Sequence, residues 1–299
     1  MKSGPMKRGP VKGGPVKDGA MKDVTLPSLW PQAKPLAVAV SVMLEGWSDD
    51  AAPGIGPMGN VLRAGVLDLQ ARSWAEYGAR VGAWRILDIL AQAGVRAVFY
   101  TSGVLAERYP ALMRAIADAG HSVAGHGWSQ HIIPATQTPE EESRDLSRCI
   151  TILTETTGTA PLGWVSPRCT PSSRTTALLA GSGFAWHADF FDSDLPRIEP
   201  TVSGPIVAMP FTMEVNDMPL SVRYGQEADA FPRILEKVLA GWHRLGDRPG
   251  CVDITVHAHV YGRPVGALAF IDALDVAKRY ADRAWLTDHD ALARIWRPA

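Results

Sequence analysis

The chain has 299 residues, 46% of them hydrophobic and 20% charged, and a formal net charge of −1. That is the composition of a globular protein, and it leaves no global basic field to recruit nucleic acid or anionic lipid. The three cysteines, Cys149, Cys169 and Cys251, match neither a disulfide framework nor a zinc spacing. No apolar run approaches the ~20 residues of a membrane span, so a soluble cytoplasmic protein is expected.

The N-terminal stretch "MKSGPMKRGPVKGGPVKDGAMKD" repeats a five-residue unit built on Lys-x-Gly-Pro, with six basic residues against two acidic ones. Gly and Pro oppose helix and ladder alike, so residues 1–30 are expected to form a disordered tail and 31–299 one folded domain. The tail lacks the apolar core of a secretory signal. "LAVAVSVML" (36–44) reads as a buried strand. "YGARVGAWRILDILAQAG" (77–94) reads as a helix with Val81, Trp84, Ile86, Leu87 and Leu90 inward and Gly94 as its stop. "VRAVFYT" is a strand, "ALMRAIADAG" a helix and "HSVAG" a strand. Thr138 caps a helix that opens on Pro139. Thereafter "LGWVSP", "FAWHAD", "GPIVAMPF" and "CVDITVHAHV" read as strands, with helical segments between and after them, and "RAWLTDHDALARIW" as a last strand and helix. Six or seven βα units in unbroken series predict a parallel sheet covered by helices, closed or nearly closed into a single deformed (β/α) barrel. An open doubly wound sheet is the alternative, but the loop after the first strand carries no phosphate-binding glycine pattern.

In such barrels chemistry gathers where the strands end. The first strand delivers Glu45 and then Trp47; the third delivers His126 and His131. The fourth brings Ser166 and Arg168, and the fifth leads to Asp192. The loop "PFTMEVNDMP" offers Glu214 and Asp217. In "CVDITVHAHV" the residues Asp253, Thr255, His257 and His259 alternate with apolar ones, a polar stripe ending in two histidines. A strand buried on both sides should be apolar throughout, so this stripe predicts a functional interior face. The spacing of His126 and His131 suits neither one helix face nor one strand face. Both reach one ion only if the chain turns at Gly127; otherwise one lies in the site and the other on its rim.

The pieces "AVSVMLEGW", "AVFYTSGVLAERYPALMRAIADAGHSVAGHGW", "GWVSPRCTPSSRTTALLAGSGFAW", "MPFTMEVNDMP" and "TVHAHVYGRP" resemble polysaccharide deacetylases of the NodB-homology type, and more narrowly their allantoinase-like and cyclic-imide-hydrolase-like branch. The resemblance implies hydrolysis of a non-peptide C–N bond in a deformed barrel, with a divalent metal, zinc by expectation, held by an acid and two histidines. Carried onto this chain, Glu45, His126 and His131 are the candidate metal ligands and His257 the candidate acid. Met43 stands where the family's base Asp would be, which leaves His259, Glu214 and Asp217 as candidate replacements. Trp47, Trp128 and Trp186 are candidate walls for a flat ring, with Ser166, Arg168 and Asp192 as polar substrate contacts. A bound metal would lower the pKa of its water to ~7, and a strained ring nitrogen leaves more readily than an amine. A small cyclic amide, imide or ureide is therefore the expected substrate, with a polysaccharide N-deacetylase or a non-catalytic ligand-binding barrel as alternatives. Expected partners are that small molecule and further copies of the chain, with no nucleic acid and no membrane.

Overall fold

The computed structural model describes residues 30–296, apart from 55, 60, 61, 64 and 247. Residues 1–29 of the expected tail lie outside the described residues, whereas Trp30, expected to be the tail's last residue, is buried.

All nine residues of β1 (Leu36–Leu44) are buried, as a run of Val, Ala and Leu dictates for the centre of a sheet. Helix α1 (Leu69–Tyr77) starts where Asp68 accepts the backbone N–H groups of Gln70 and Ala71. It runs through a π turn (Gly78–Gly82) into α2 (Ala83–Ala93), which Gly94 ends at φ 64°. The helical stretch therefore begins eight residues earlier than the apolar pattern predicts. Val81 and Trp84, expected inward, are exposed. The cause is a small-residue face: a Cβ on Gly82 would overlap the Ala258 carbonyl, and one on Gly78 would crowd His259. Glycine lets the helix backbone press against the chain just after the last long strand, and that approach turns the larger side chains outward.

The remaining elements follow the expected alternation. They are β2 (Val98–Thr101), α3 (Gly103–Arg108), α4 (Pro110–Asp118), β3 (Ser122–Gly125), α5 (Pro139–Thr157), β4 (Gly163–Trp164), α6 (Thr175–Gly181) and β5 (Trp186–Phe190). Then come β6 (Arg197–Glu199), β7 (Ile206–Pro210), α7 (Ala230–Gly241), β8 (Gly250–His257), α8 (Pro264–Arg279), β9 (Ala284–Leu286) and α9 (His289–Trp296). At α5, Thr138 and Glu141 form a reciprocal capping box.

The sheet order is β6-β7-β5-β4-β3-β2-β1-β8, with β9 beside the first three residues of β1. All pairs are parallel except β6–β7. This is the expected deformed α/β barrel, but it is half open: no ladder joins β7 to β8. Irregular chain fills the seam, and the outward amides of β8 are met one by one. Cys251 N–H donates to the Asp194 carbonyl (2.9 Å) and Thr255 N–H to the Val215 carbonyl (2.9 Å). Asp253 N–H donates to Thr212 Oγ1 (2.9 Å) and His257 N–H to Asp217 Oδ2 (2.8 Å). An unpaired buried amide is expensive, so each of these substitutes for a missing neighbouring strand.

One apolar cluster lies between sheet and helices and a second fills the concave face. At the end where the strands begin, Trp30 packs against Trp285 and Trp296 and its indole donates to the Gly250 carbonyl. Trp186 belongs to this end. It is fully buried, stacks on His289 and donates to Asp290, so it does not wall a site at the opposite rim. Trp128 is likewise a core residue: it is buried under the Arg148 guanidinium, 3.2 Å from the ring centroid, with Gly103 against its other edge. Trp128→Ala should lower unfolding free energy by about 3–5 kcal/mol in denaturant titration, as for large-to-small core changes. The turnover of the folded fraction should stay within twofold of the parent.

Candidate active site

The register of β1 with β8 sets the centre of the site. Met43 pairs with His257, so Glu45, two residues on, reaches the level of His259. The Ala258 N–H donates to the Met43 carbonyl (3.0 Å), extending the register past the end of β8. Glu45 is the hub. Its Oε1 lies 3.6 Å from His126 Nε2 and 3.8 Å from His257 Nε2, and its Oε2 lies 3.8 Å from His259 Nε2. The carboxylate is 11% exposed and the imidazoles less.

Each histidine has a distinct local anchor. His126 follows β3 and its Nδ1–H donates to the Val165 carbonyl (2.8 Å), leaving Nε2 toward Glu45. His257 Nδ1–H donates to Asp217 Oδ1 (2.6 Å), and the same carboxylate holds the His257 amide. His259 has no hydrogen-bond partner on either ring nitrogen. Its ring is met edge-on by Trp74, 4.4 Å between centroids, and by Trp47 at 6.1 Å. Trp74 lies on α1, and no sequence pattern pointed to it.

The charges follow from these surroundings. Burial alone would raise the Glu45 pKa, but His257, His126 and His259 around it hold it down to about 2. Burial lowers His259 to about 4, with Glu45 opposing and His257 and Arg263 adding to the shift. Burial acts the same way on His257, yet the Asp217 and Glu45 carboxylates outweigh it and raise its pKa above the ordinary value. Two imidazoles beside one carboxylate are thus pushed in opposite directions. Neighbouring titratable groups whose pKa values are driven apart can divide acid and base work between them.

The expected ligand triad of Glu45, His126 and His131 is not assembled. Gly127 does turn the chain, at φ 67°, but the turn carries His131 to the surface, where its Nδ1 is 2.7 Å from Ser129 Oγ. Gln130 occupies the inward position and spends its amide on Ser102 Oγ (3.0 Å) and the His126 carbonyl (2.9 Å). Among the described residues, no group of three or more His, Cys, Asp or Glu side chains is arranged to hold a metal ion. With His131 turned away, the expected donor set of Glu45, His126 and His131 does not fit the metal that the resemblance implies, and no step below is routed through one.

Other expected contacts fall elsewhere. Ser166 is buried and turned to Asp189, which accepts its N–H (2.6 Å) and its hydroxyl (2.8 Å). That tie joins β4 to β5 instead of meeting substrate. Burial raises Asp189 to about 6 in spite of these bonds from Ser166. Arg168 is exposed at φ 56°, Asp192 is exposed and paired with Arg197 (2.6 Å), and Glu214 is exposed. Of the two acids offered by the "EVND" loop, only Asp217 reaches a histidine.

Residues 76–185 match the family model described as polysaccharide deacetylase. Over that stretch the chain is similar to the polysaccharide deacetylases. A peptidoglycan deacetylase from Helicobacter pylori is 26% identical over 207 residues, which is 69% of this chain and 66%, just under two thirds, of that protein. The solved structure of a probable polysaccharide deacetylase from Pseudomonas aeruginosa PAO1 superposes with a TM-score of 0.81 at 26% identity, over 89% of this chain and 92% of the other. The structure of Puue allantoinase superposes with a TM-score of 0.79 at 27% identity, over 89% and 92%. The family model, the Helicobacter pylori relative and the Pseudomonas aeruginosa structure are all described as deacetylases. Glu45 and three histidines lie together at the rim of the half-open barrel. No described helix is long and apolar enough to cross a membrane.

Proposed function

We propose that the chain opens a small cyclic amide, imide or ureide by hydrolysis of a ring C–N bond. The observation that carries this reading is the pair His257 and His259, held against one nearly enclosed carboxylate with their pKa values pushed in opposite directions. An enclosure of this kind suits a small flat ring better than a polymer strand. Trp47 and Trp74, edge-on to His259, would flank that ring.

The residues divide the work as follows. Neutral His259 takes a proton from the attacking water as its oxygen bonds to the ring carbonyl carbon. Protonated His257 gives its Nε2 proton to the departing ring nitrogen as the C–N bond breaks, and its positive charge offsets the developing oxyanion. Asp217 keeps the other His257 proton on Nδ1, so that Nε2 is the reacting atom. Glu45 stays ionised and stabilises whichever imidazolium is present. Proton return from His259 to His257 resets the site. Cys149, Cys169 and Cys251 are all unpaired, which agrees with a reducing cytoplasm.

The test is a substrate panel on purified protein: hydantoin, dihydrouracil, succinimide and allantoin for ring opening, and N-acetylglucosamine oligomers for acetate release. Ring opening without acetate release is expected. Acetate release alone would overturn the reading in favour of the activity named for the Helicobacter pylori relative. A second arm removes metal with 1,10-phenanthroline and verifies the removal by elemental analysis. The rate should stay within twofold; a loss restored by zinc would return Glu45 and its histidines to a metal-binding role.

A further inference from the structure

Beyond Trp47, on the far face of α1 from Trp74, lies a cavity of about 560 Å³ that the proposed reaction does not use. Its charged lining is Arg72, Arg80, Arg108, Asp49 and Glu76, three guanidinium groups against two carboxylates. The two acids differ. Glu76 is mostly buried and engaged from three sides, by Tyr109 OH (2.7 Å), Arg108 (3.3 Å) and Arg80 (3.6 Å). Asp49 is 83% exposed, and its single Oδ1 is shared by Arg72 (3.1 Å) and Arg108 (2.7 Å). Arg72 and Arg108 thus form a fork already shaped around a carboxylate oxygen, and the carboxylate that fills it is a solvent-facing loop side chain. Exposed ion pairs of this kind contribute little, so an external anion can replace Asp49 at small cost. The space is of the size that holds small ligands, and Tyr77 adds an aromatic wall.

We propose that this cavity binds a small carboxylate- or phosphate-bearing molecule whose anionic group displaces Asp49 from the Arg72–Arg108 fork. Arg108 also donates to the Trp47 carbonyl (2.8 Å), so the bound anion is gripped by the residue that ties down the loop following Glu45. The inference does not depend on the reaction assigned above.

Isothermal titration of the full chain with succinate, inorganic phosphate and neutral succinamide tests it. At least one anion is expected to bind and succinamide is not; whichever anion binds names the ligand chemistry. Arg72→Gln should weaken binding at least tenfold without changing the melting temperature. Asp49→Asn should tighten it, because it removes the internal competitor. The proposal is overturned by an absence of binding to both anions, or by affinity unchanged in both variants. Activity plays no part in this readout, so a failed substrate assignment leaves it standing.

Discussion

His257→Ala is expected to lower kcat/KM by about 10²–10⁴-fold, the usual worth of a positioned general acid, while the protein stays folded. His257→Gln, which keeps polar bulk beside Asp217, should be equally inactive, so that loss of folding cannot explain the result. Asp217→Asn gives a more particular signature. The Asp217 carboxylate raises the His257 pKa, and the acid works only while protonated, so activity is lost as pH rises through that value. Without the negative charge the His257 pKa falls, and the basic limb of the pH–rate profile moves to lower pH. An unmoved basic limb in Asp217→Asn would remove His257 from the acid role.

His259→Ala should be the second large loss, of similar size, and it should act on the other limb. The base must be neutral, so the rate of the parent protein falls as pH drops through about 4. That limb should be missing from the residual activity of His259→Ala. Glu45→Gln separates the two roles again. Its carboxylate raises both imidazole pKa values, so the substitution should shift both limbs to lower pH. A profile in which only one limb moves would mean that Glu45 serves one histidine and not both.

Much of the fold is legible in the residue pattern, because strand and helix periods are local. The polar stripe of β8 marks an interior face, and the strand-end rule brings Glu45, His126, His257 and His259 to one rim. Side chains whose placement depends on a turn are not legible in the same way. The five-residue spacing from His126 to His131 does not say which residue re-enters, and Gln130 does so in its place. Tryptophan size and apolarity are the same in a core as in a site wall, so Trp128 and Trp186 are indistinguishable from Trp47 before packing is known. Trp74 escapes notice because it lies ahead of the predicted helix start, on a helix whose docking depends on Gly78 and Gly82. The seam beside β8 is also invisible in sequence, since the groups that satisfy it belong to irregular chain.

That seam gives the barrel a weak side with chemical consequences. The residue that satisfies the last β8 amide, Asp217, is the residue that orients His257. A transient opening that frees the segment from Thr212 to Asp217 would release the His257 imidazole at the same moment, while the ladder from β5 through β1 stayed intact. Amide exchange at Thr255 and His257 should therefore be governed by local opening and be faster than at Val40 or Val42 in β1. On heating, turnover should fade before the far-ultraviolet signal of the helices does, with the protein losing its acid before it loses its fold.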